Sequence, residues 1–301
     1  MCCNNNSQQL PPPNGHKFEM NKSSDSTLKS LQAETVNKFV QLQFKDAVTS
    51  KEMAYNLLVP KDYVSTKTYP LVLFIADAST VGKNTIMSLT QGYGALVWAS
   101  DESQAEHPCF VLAPAYTTQT VNDKFETSYE VEMTIRLLKY IAEKYKVDTN
   151  RLYTTGQSMG GMMSMYFNIV HPDLFAASVF VSCQWDASKM SGFANKKFFY
   201  IVAAGDEKAP KGMAALKTVL EKEGAKINTA EWSAKLPESK QSANVQQMLS
   251  ENNNINFITF TKGSVLPPDG SGMEHMWSFD YAYKLKRVQS WLFQQKKTCV
   301  N

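Results

Sequence analysis

From Val36 onward the apolar positions fall into short, regular blocks. Val40, Leu42 and Phe44 alternate with Gln41, Gln43 and Lys45, the two-residue period of a half-buried strand, and Tyr55 to Val59 predicts a second strand stopped by Pro60. Together these predict an N-terminal antiparallel pair. Tyr69 to Asp77 is a continuous apolar run of strand length; such a run needs cover on both faces and marks a central strand. Phe110 to Ala113 is a further short strand ending at Pro114, and Val131, Ile135, Leu138, Ala142 and Tyr145 then recur at helical spacing. The alternation continues with a strand at Arg151 to Thr155, a helix at Met159 to about Val170, and strands at Ser178 to Cys183 and Phe198 to Ala204. Met213, Leu216 and Leu220 share a helical face that ends at Gly224, Ile255 to Thr261 reads as strand, and Tyr281, Leu285, Val288 and Leu292 line a closing helix.

Strands that alternate with helices predict a mostly parallel sheet with helices on both faces, because parallel strands need crossovers that return over a face. The fold class is therefore α/β. No repeat or interdomain linker interrupts the pattern, so residues 31–301 are expected to form one domain. The polar stretch from Ala225 to Asn254 reads as an insertion carrying part of a pocket rim. Residues 1–30, opening Cys2-Cys3-Asn4-Asn5-Asn6 and passing through Pro11-Pro12-Pro13, are too polar and Pro-rich to pack and are expected to be a flexible leader.

Composition narrows the function. With 43% hydrophobic and 20% charged residues in 301, the chain has a full core and is not a disordered or fibrous protein. Its net charge of +3, from 31 basic and 28 acidic residues, is spread without the basic stripe that nucleic acid requires. No run approaches the ~20 apolar residues of a membrane span, and the N-terminus is not a signal peptide. The five cysteines, Cys109 and Cys183 in strand-like runs and Cys2, Cys3 and Cys299 near the termini, have no metal spacing, so no metal site is expected. The leader itself has two readings. A Cys followed by a polar tether resembles the start of a mature bacterial lipoprotein, which implies a secreted or cell-envelope location with a lipid on Cys2 or Cys3; the other reading is a disordered tail with two incidental thiols.

The strongest chemical signal is Gly156-Gln157-Ser158-Met159-Gly160, set between the predicted strand at Arg151 and the predicted helix at Met159. That context is what a nucleophile elbow requires: a sharp turn lifts the serine hydroxyl above the sheet at a helix N-terminus, and small flanking residues allow close chain approach. Serine needs a base, and four histidines are available. His16 lies in the leader, His107 precedes a strand on the wrong side of the sheet, and His171 ends the helix that starts at Ser158, roughly 20 Å away. His275 remains, between the Gly270-Ser271-Gly272 loop and the last helix. Asp206, in the turn after the Phe198 strand, is the favoured carboxylate because active sites of open α/β sheets gather at strand C-terminal ends; Glu207 and Asp186 compete. The order Ser158, Asp206, His275 is that of α/β-hydrolases. In that fold the oxyanion hole takes the N–H of Met159 and one from the loop at Ala76-Asp77. Gln157 and Trp185 are the candidate substrate contacts, with Trp185 serving either as a pocket wall or simply as core.

From about Val36 to Gln295 the chain resembles bacterial α/β-hydrolases of the polyhydroxybutyrate depolymerase and feruloyl or acetylxylan esterase type, including secreted "peptidases" of that group. The likeness is carried by Asp148 to Gly161 around the elbow, His171-Pro172-Asp173-Leu174-Phe175-Ala176-Ala177, Gln184-Trp185-Asp186 and Glu274-His275-Met276 leading to Phe279. It implies a Ser158, His275, Asp206 triad, no cofactor, and ester hydrolysis through an acyl-enzyme on a small, polysaccharide-linked or polyester substrate. The chain departs from the family at Ala76-Asp77, where many relatives carry His-Gly, and in the polar insertion before His275. A serine peptidase with the same triad and a non-catalytic binding protein on the same scaffold are the alternatives.

Overall fold

The computed structural model describes residues 20 and 22–297. Nine strands lie among them: β1 (Phe39–Lys45), β2 (Glu52–Leu58), β3 (Tyr69–Ile75), β4 (Phe110–Pro114), β5 (Val147–Gln157), β6 (Ala177–Val181), β7 (Phe198–Ala203), β8 (Ile227–Trp232) and β9 (Ile255–Phe260). The helices are α1 (Ser26–Thr35), α2 (Met87–Thr90), α3 (Asp101–Glu106), α4 (Tyr129–Lys144), α5 (Met159–Val170), α6 (Ala209–Lys222), α7 (Glu238–Ser250), α8 (Glu274–Tyr283) and α9 (Lys286–Phe293). The strands form one sheet in the order β1-β2-β4-β3-β5-β6-β7-β9-β8. β1 and β2 pair antiparallel, with Leu42 opposite Tyr55, and β2 joins β4 antiparallel; every other pairing is parallel. The expected α/β architecture and the N-terminal antiparallel pair are both present.

The continuous apolar runs are explained by two cores. Along β3, Leu71, Leu73 and Ile75 face one cluster, together with Leu138 of α4 and Met163 of α5. Val72 and Phe74 face the other, together with Phe279 of α8 and Leu292 of α9. All five of these strand residues are buried, as the period-2 alternation demands when helices cover both faces. Crossovers start where capping chemistry allows: Ser128 accepts a hydrogen bond from the Glu130 N–H, and Glu130 and Glu132 fill the first turn of α4, where negative charge suits the helix dipole.

Two expectations are corrected. The stretch 225–254 is no rim insertion: it contains β8, the edge strand paired with β9, and α7, and none of its residues lines the cleft around Ser158. Its apolar content is thin, but Trp232, Val245 and Met248 are all buried. Nor does a leader extend to residue 30. Asp25 caps α1 by accepting from the Leu28 N–H, Leu28 is buried in a core, and Lys22 pairs with Asp280 of α8 at 2.7 Å. Apart from Leu28 the contacts of this segment are polar, among them the Tyr93 hydroxyl on Asp25 and Lys22 on the Gln91 carbonyl, and these leave too little apolar periodicity to register in the pattern. Cys2, Cys3 and His16 lie outside the described residues. Among the described residues no helix is long and apolar enough to cross a membrane.

Candidate active site

The parallel strands deliver their C-terminal ends to one edge of the sheet, and the loops there build the site. β5 ends at Gln157, α5 begins at Met159, and Ser158 between them has φ +51° and ψ −119°. A non-glycine residue in that region is strained, and such strain persists only where the surroundings enforce it. Here they do. A Cβ on Gly160 would come within 2.0 Å of the Ile75 carbonyl oxygen, and one on Gly156 within 2.3 Å of the Gly160 backbone, so the elbow packs against β3 only with glycine at both places. The Ser158 N–H donates to the Val181 carbonyl at 3.0 Å, fixing the turn to β6.

Ser158 and Asp206, from two strand-end turns, are brought together with His275, the second residue of α8. His275 Nε2 lies 2.9 Å from Ser158 Oγ, and His275 Nδ1 lies 2.5 Å from Asp206 Oδ2. Asp206 follows β7, and its other oxygen accepts the N–H groups of Lys208 at 2.9 Å and Ala209 at 3.3 Å, so the carboxyl also caps α6. Burial pushes the Asp206 carboxyl up, but the hydrogen bond and charge of His275 and the two N–H donors outweigh it and hold it below the usual carboxylate range. The imidazole edge rests on Phe279, with ring centroids 5.2 Å apart. The competing residues are elsewhere. Glu207 is exposed, Asp186 accepts from Ser188, His107 stacks on Phe293, and His171 meets Glu132.

A cleft of about 190 Å³ opens over Ser158. Its lining includes the apolar Ala78, Val121, Met159, Met162 and Ala209 and the polar Gln119, Asn122, Asp123, Gln184 and Lys208. A larger groove of about 980 Å³ between α1, α3, α7 and α9 contains none of Ser158, Asp206 and His275. The two expected substrate contacts do not reach the cleft. Gln157 is buried and its amide donates to Asp77 Oδ2 at 2.8 Å; Trp185 is buried against Phe125 and Tyr166, while its neighbour Gln184 faces the cleft. Both residues lie in the irregular loop after β6, where no strand period fixes which side chain faces the cleft.

Of the expected oxyanion residues, Met159 lines the cleft, and beside Ala76 and Asp77 the next residue along does so too. Met159 stands at the first position of α5, where the helix ladder leaves its N–H unused. Ala76 is buried under the elbow, and the Asp77 carboxylate is occupied by Gln157 and by the Ser79 N–H at 2.8 Å. The residue of this loop that lines the cleft is Ala78, first in a short 3₁₀ turn capped by Asp77. The Asp77-x-Ser79 spacing, in which Asp77 accepts the Ser79 N–H, is the sequence signal for the turn that carries Ala78. Cys183 lines the cleft as a free, buried thiol, and burial pushes it well above the ordinary thiol range. Among the described residues no cluster of His, Cys, Asp and Glu could hold a metal ion.

Among solved structures, a thermostable esterase superposes with TM-score 0.72 at 25% identity, over 87% of this chain; the chain spans 64% of that esterase's length. A ferulic acid esterase matches with TM-score 0.58 at 15% identity, over 85% of this chain and 98% of its own. A ferulic acid esterase from Anaeromyces mucronatus in complex with ferulic acid matches with TM-score 0.54 at 13% identity, over 84% of this chain and 89% of its own. No curated protein matches the chain. The sequence pattern of the family described as "Putative esterase" covers residues 47–261, more than half of the chain, and the chain belongs to that family on an α/β-hydrolase sheet.

Proposed function

We propose that this chain hydrolyses carboxylic esters through an acyl-enzyme on Ser158. The observation that carries the reading is the continuous line from Asp206 through His275 to Ser158, at 2.5 and 2.9 Å, ending on a strained serine at a helix N-terminus. His275 Nε2 takes the hydroxyl proton as Ser158 Oγ attacks the ester carbonyl, a step for which general-base assistance contributes about 10²- to 10⁴-fold. Asp206 accepts from Nδ1–H, which leaves the lone pair on the nitrogen facing the serine and stabilises the imidazolium that forms. The N–H groups of Met159 and Ala78 are the donors for the tetrahedral oxyanion. Collapse expels the alcohol, protonated by His275, and water repeats the sequence on the acyl-enzyme.

The dimensions favour a short acyl group, since about 190 Å³ is less than the ~300 Å³ at which pockets for drug-sized ligands begin. The feruloyl esterases that share the fold, including one from Clostridium thermocellum complexed with sinapinate, put hydroxycinnamoyl esters on the list to be tried. The test is turnover of a panel of acetyl, butyryl, feruloyl, polyester and peptide substrates by the native protein and Ser158→Ala. Turnover falling by several orders of magnitude in the variant, with an acyl adduct on the Ser158 peptide by mass spectrometry, supports the reading. Undiminished turnover refutes it.

A further inference from the structure

Glu274 immediately precedes His275, at the first residue of α8, and is only 8% exposed. A carboxylate is seldom buried unless both oxygens are used, and here they are. Oε2 accepts the N–H of Gly205 at 3.0 Å, and Oε1 accepts the N–H of Gly263 at 2.7 Å. Gly205 is the residue before Asp206; Gly263 lies in the turn after β9. The single carboxylate therefore ties together the loop that carries the acid, the start of the helix that carries the base, and the turn after β9, the strand between β7 and β8. Contact is close enough that a Cβ on Gly205 would lie 2.0 Å from Glu274 Oε1.

His275 is pinned from its other side too. Ser278 Oγ donates to the His275 carbonyl at 2.7 Å and lies 2.6 Å from Ser182 Oγ, on a residue that leaves β6 with φ +41°. Both serines are fully buried. His275 is thus flanked by the clamped Glu274 carboxylate on one side and by the Ser278–Ser182 hydroxyl pair on the other, with Ser182 also lining the cleft.

We infer that Glu274 is a positioning residue that sets the separation of Asp206 and His275. It rests on Ser158, His275 and Asp206 acting as proposed. An acid at a helix start also favours the helix dipole, which would be a purely structural role, so the test needs a readout that stability alone does not move. Glu274→Gln removes the charge and points an amide N–H₂ at one of the two N–H donors; Glu274→Asp keeps both oxygens and withdraws them by one methylene. Each is assayed for kcat and KM on a short acyl ester, for thermal midpoint, and by NMR for the low-field proton shared between His275 Nδ1 and Asp206. The expected result is a kcat lower by about 10- to 100-fold, as for a displacement near 1 Å, with KM within about twofold. The low-field proton is expected to shift or broaden. Combining Glu274→Gln with Asp206→Asn is expected to cost no more than Asp206→Asn alone, because both act through the same hydrogen bond.

A folded variant with unchanged kcat and an unmoved proton overturns the inference, as do additive losses. Failure of both variants to fold also counts against it, by making the carboxylate a determinant of the fold. Ser158→Ala and Asp206→Asn run in parallel separate the two levels. If both abolish turnover while Glu274 variants do not lower it, the clamp alone is wrong; if Ser158→Ala retains turnover, the triad reading is wrong.

Discussion

Lys208 Nζ meets Asp123 Oδ2 at 2.5 Å, joining the loop that follows Asp206 to the loop between β4 and α4 at the rim of the Ser158 cleft. Gln184 Nε2 approaches the other Asp123 oxygen at 3.3 Å, so three loops converge on one carboxylate. Both members of the ion pair are 58% exposed, and such pairs contribute only about 0–1 kcal/mol. The junction therefore shapes the cleft more than it stabilises the fold. Asp123→Ala is expected to leave the thermal midpoint within a degree or two and to open one wall. The ratio of kcat/KM for a long acyl ester to that for an acetyl ester should rise, by about 10-fold if a few methylenes gain room. An unchanged ratio would remove this wall from the acyl pocket.

The Ala78 N–H can be deleted without disturbing its surroundings. Asp77 has φ −76° and ψ 173°, the extended geometry that a residue before proline must adopt, and Ala78 opens a 3₁₀ turn, where the N–H is not part of the ladder. Ala78→Pro is expected to fold and to lose about 10²- to 10³-fold in kcat, the cost of one oxyanion donor. Ala78→Gly, which keeps the N–H, should retain the rate. Equal rates in the two variants would assign the second donor elsewhere.

The degree to which the sequence disclosed this molecule varied with the kind of signal. β3 was legible because Leu71 to Ile75 feed two cores and so form an unbroken apolar run. β8 and α7 were not, because an edge strand and its covering helix bury only Trp232, Val245, Met248 and a few neighbours among polar residues. Ser158, Asp206 and His275 could be placed by motif, strand end and elimination, and the structure brings all three within hydrogen-bond reach. Glu274 binds backbone N–H groups and the part proposed for Ala78 is its own N–H, so neither leaves a side-chain pairing to read. Gln184 and Trp185 are neighbours in the irregular loop after β6, where no period says which faces the cleft.

Leu28 tests where the folded domain begins. Its side chain is 3% exposed in the same core as Phe279 and Leu292, although the surrounding helix is polar. Leu28→Ala is expected to destabilise by about 2–3 kcal/mol, the lower part of the range for buried leucine truncations, because α1 lies at the periphery and can partly collapse onto the gap. Urea denaturation measures this directly. A midpoint unchanged from the native protein would mean that residues 22–35 are not docked in solution.

Acid should unfold the protein partly through Asp46. Arg136 of α4 grips this carboxylate with both fork nitrogens, Nε at 2.6 Å from Oδ1 and the second nitrogen at 2.8 Å from Oδ2, while Thr49 donates its N–H and hydroxyl to Oδ2. The Arg136 hydrogen bond, opposed by burial and aided by Thr49, lowers the Asp46 carboxyl to about 2. An unfolded chain binds the same proton near the ordinary value of about 3.9. The folded state therefore prefers the ionised form, and the stabilisation is fully present above that ordinary value and is lost as pH falls through about 2. Asp46→Asn cannot titrate. The native protein's advantage in thermal midpoint over this variant should hold constant from neutral pH down to about 5, then shrink between about 4 and 2. A difference that stays constant across that interval would show that the Arg136 pairing does not bias Asp46 ionisation.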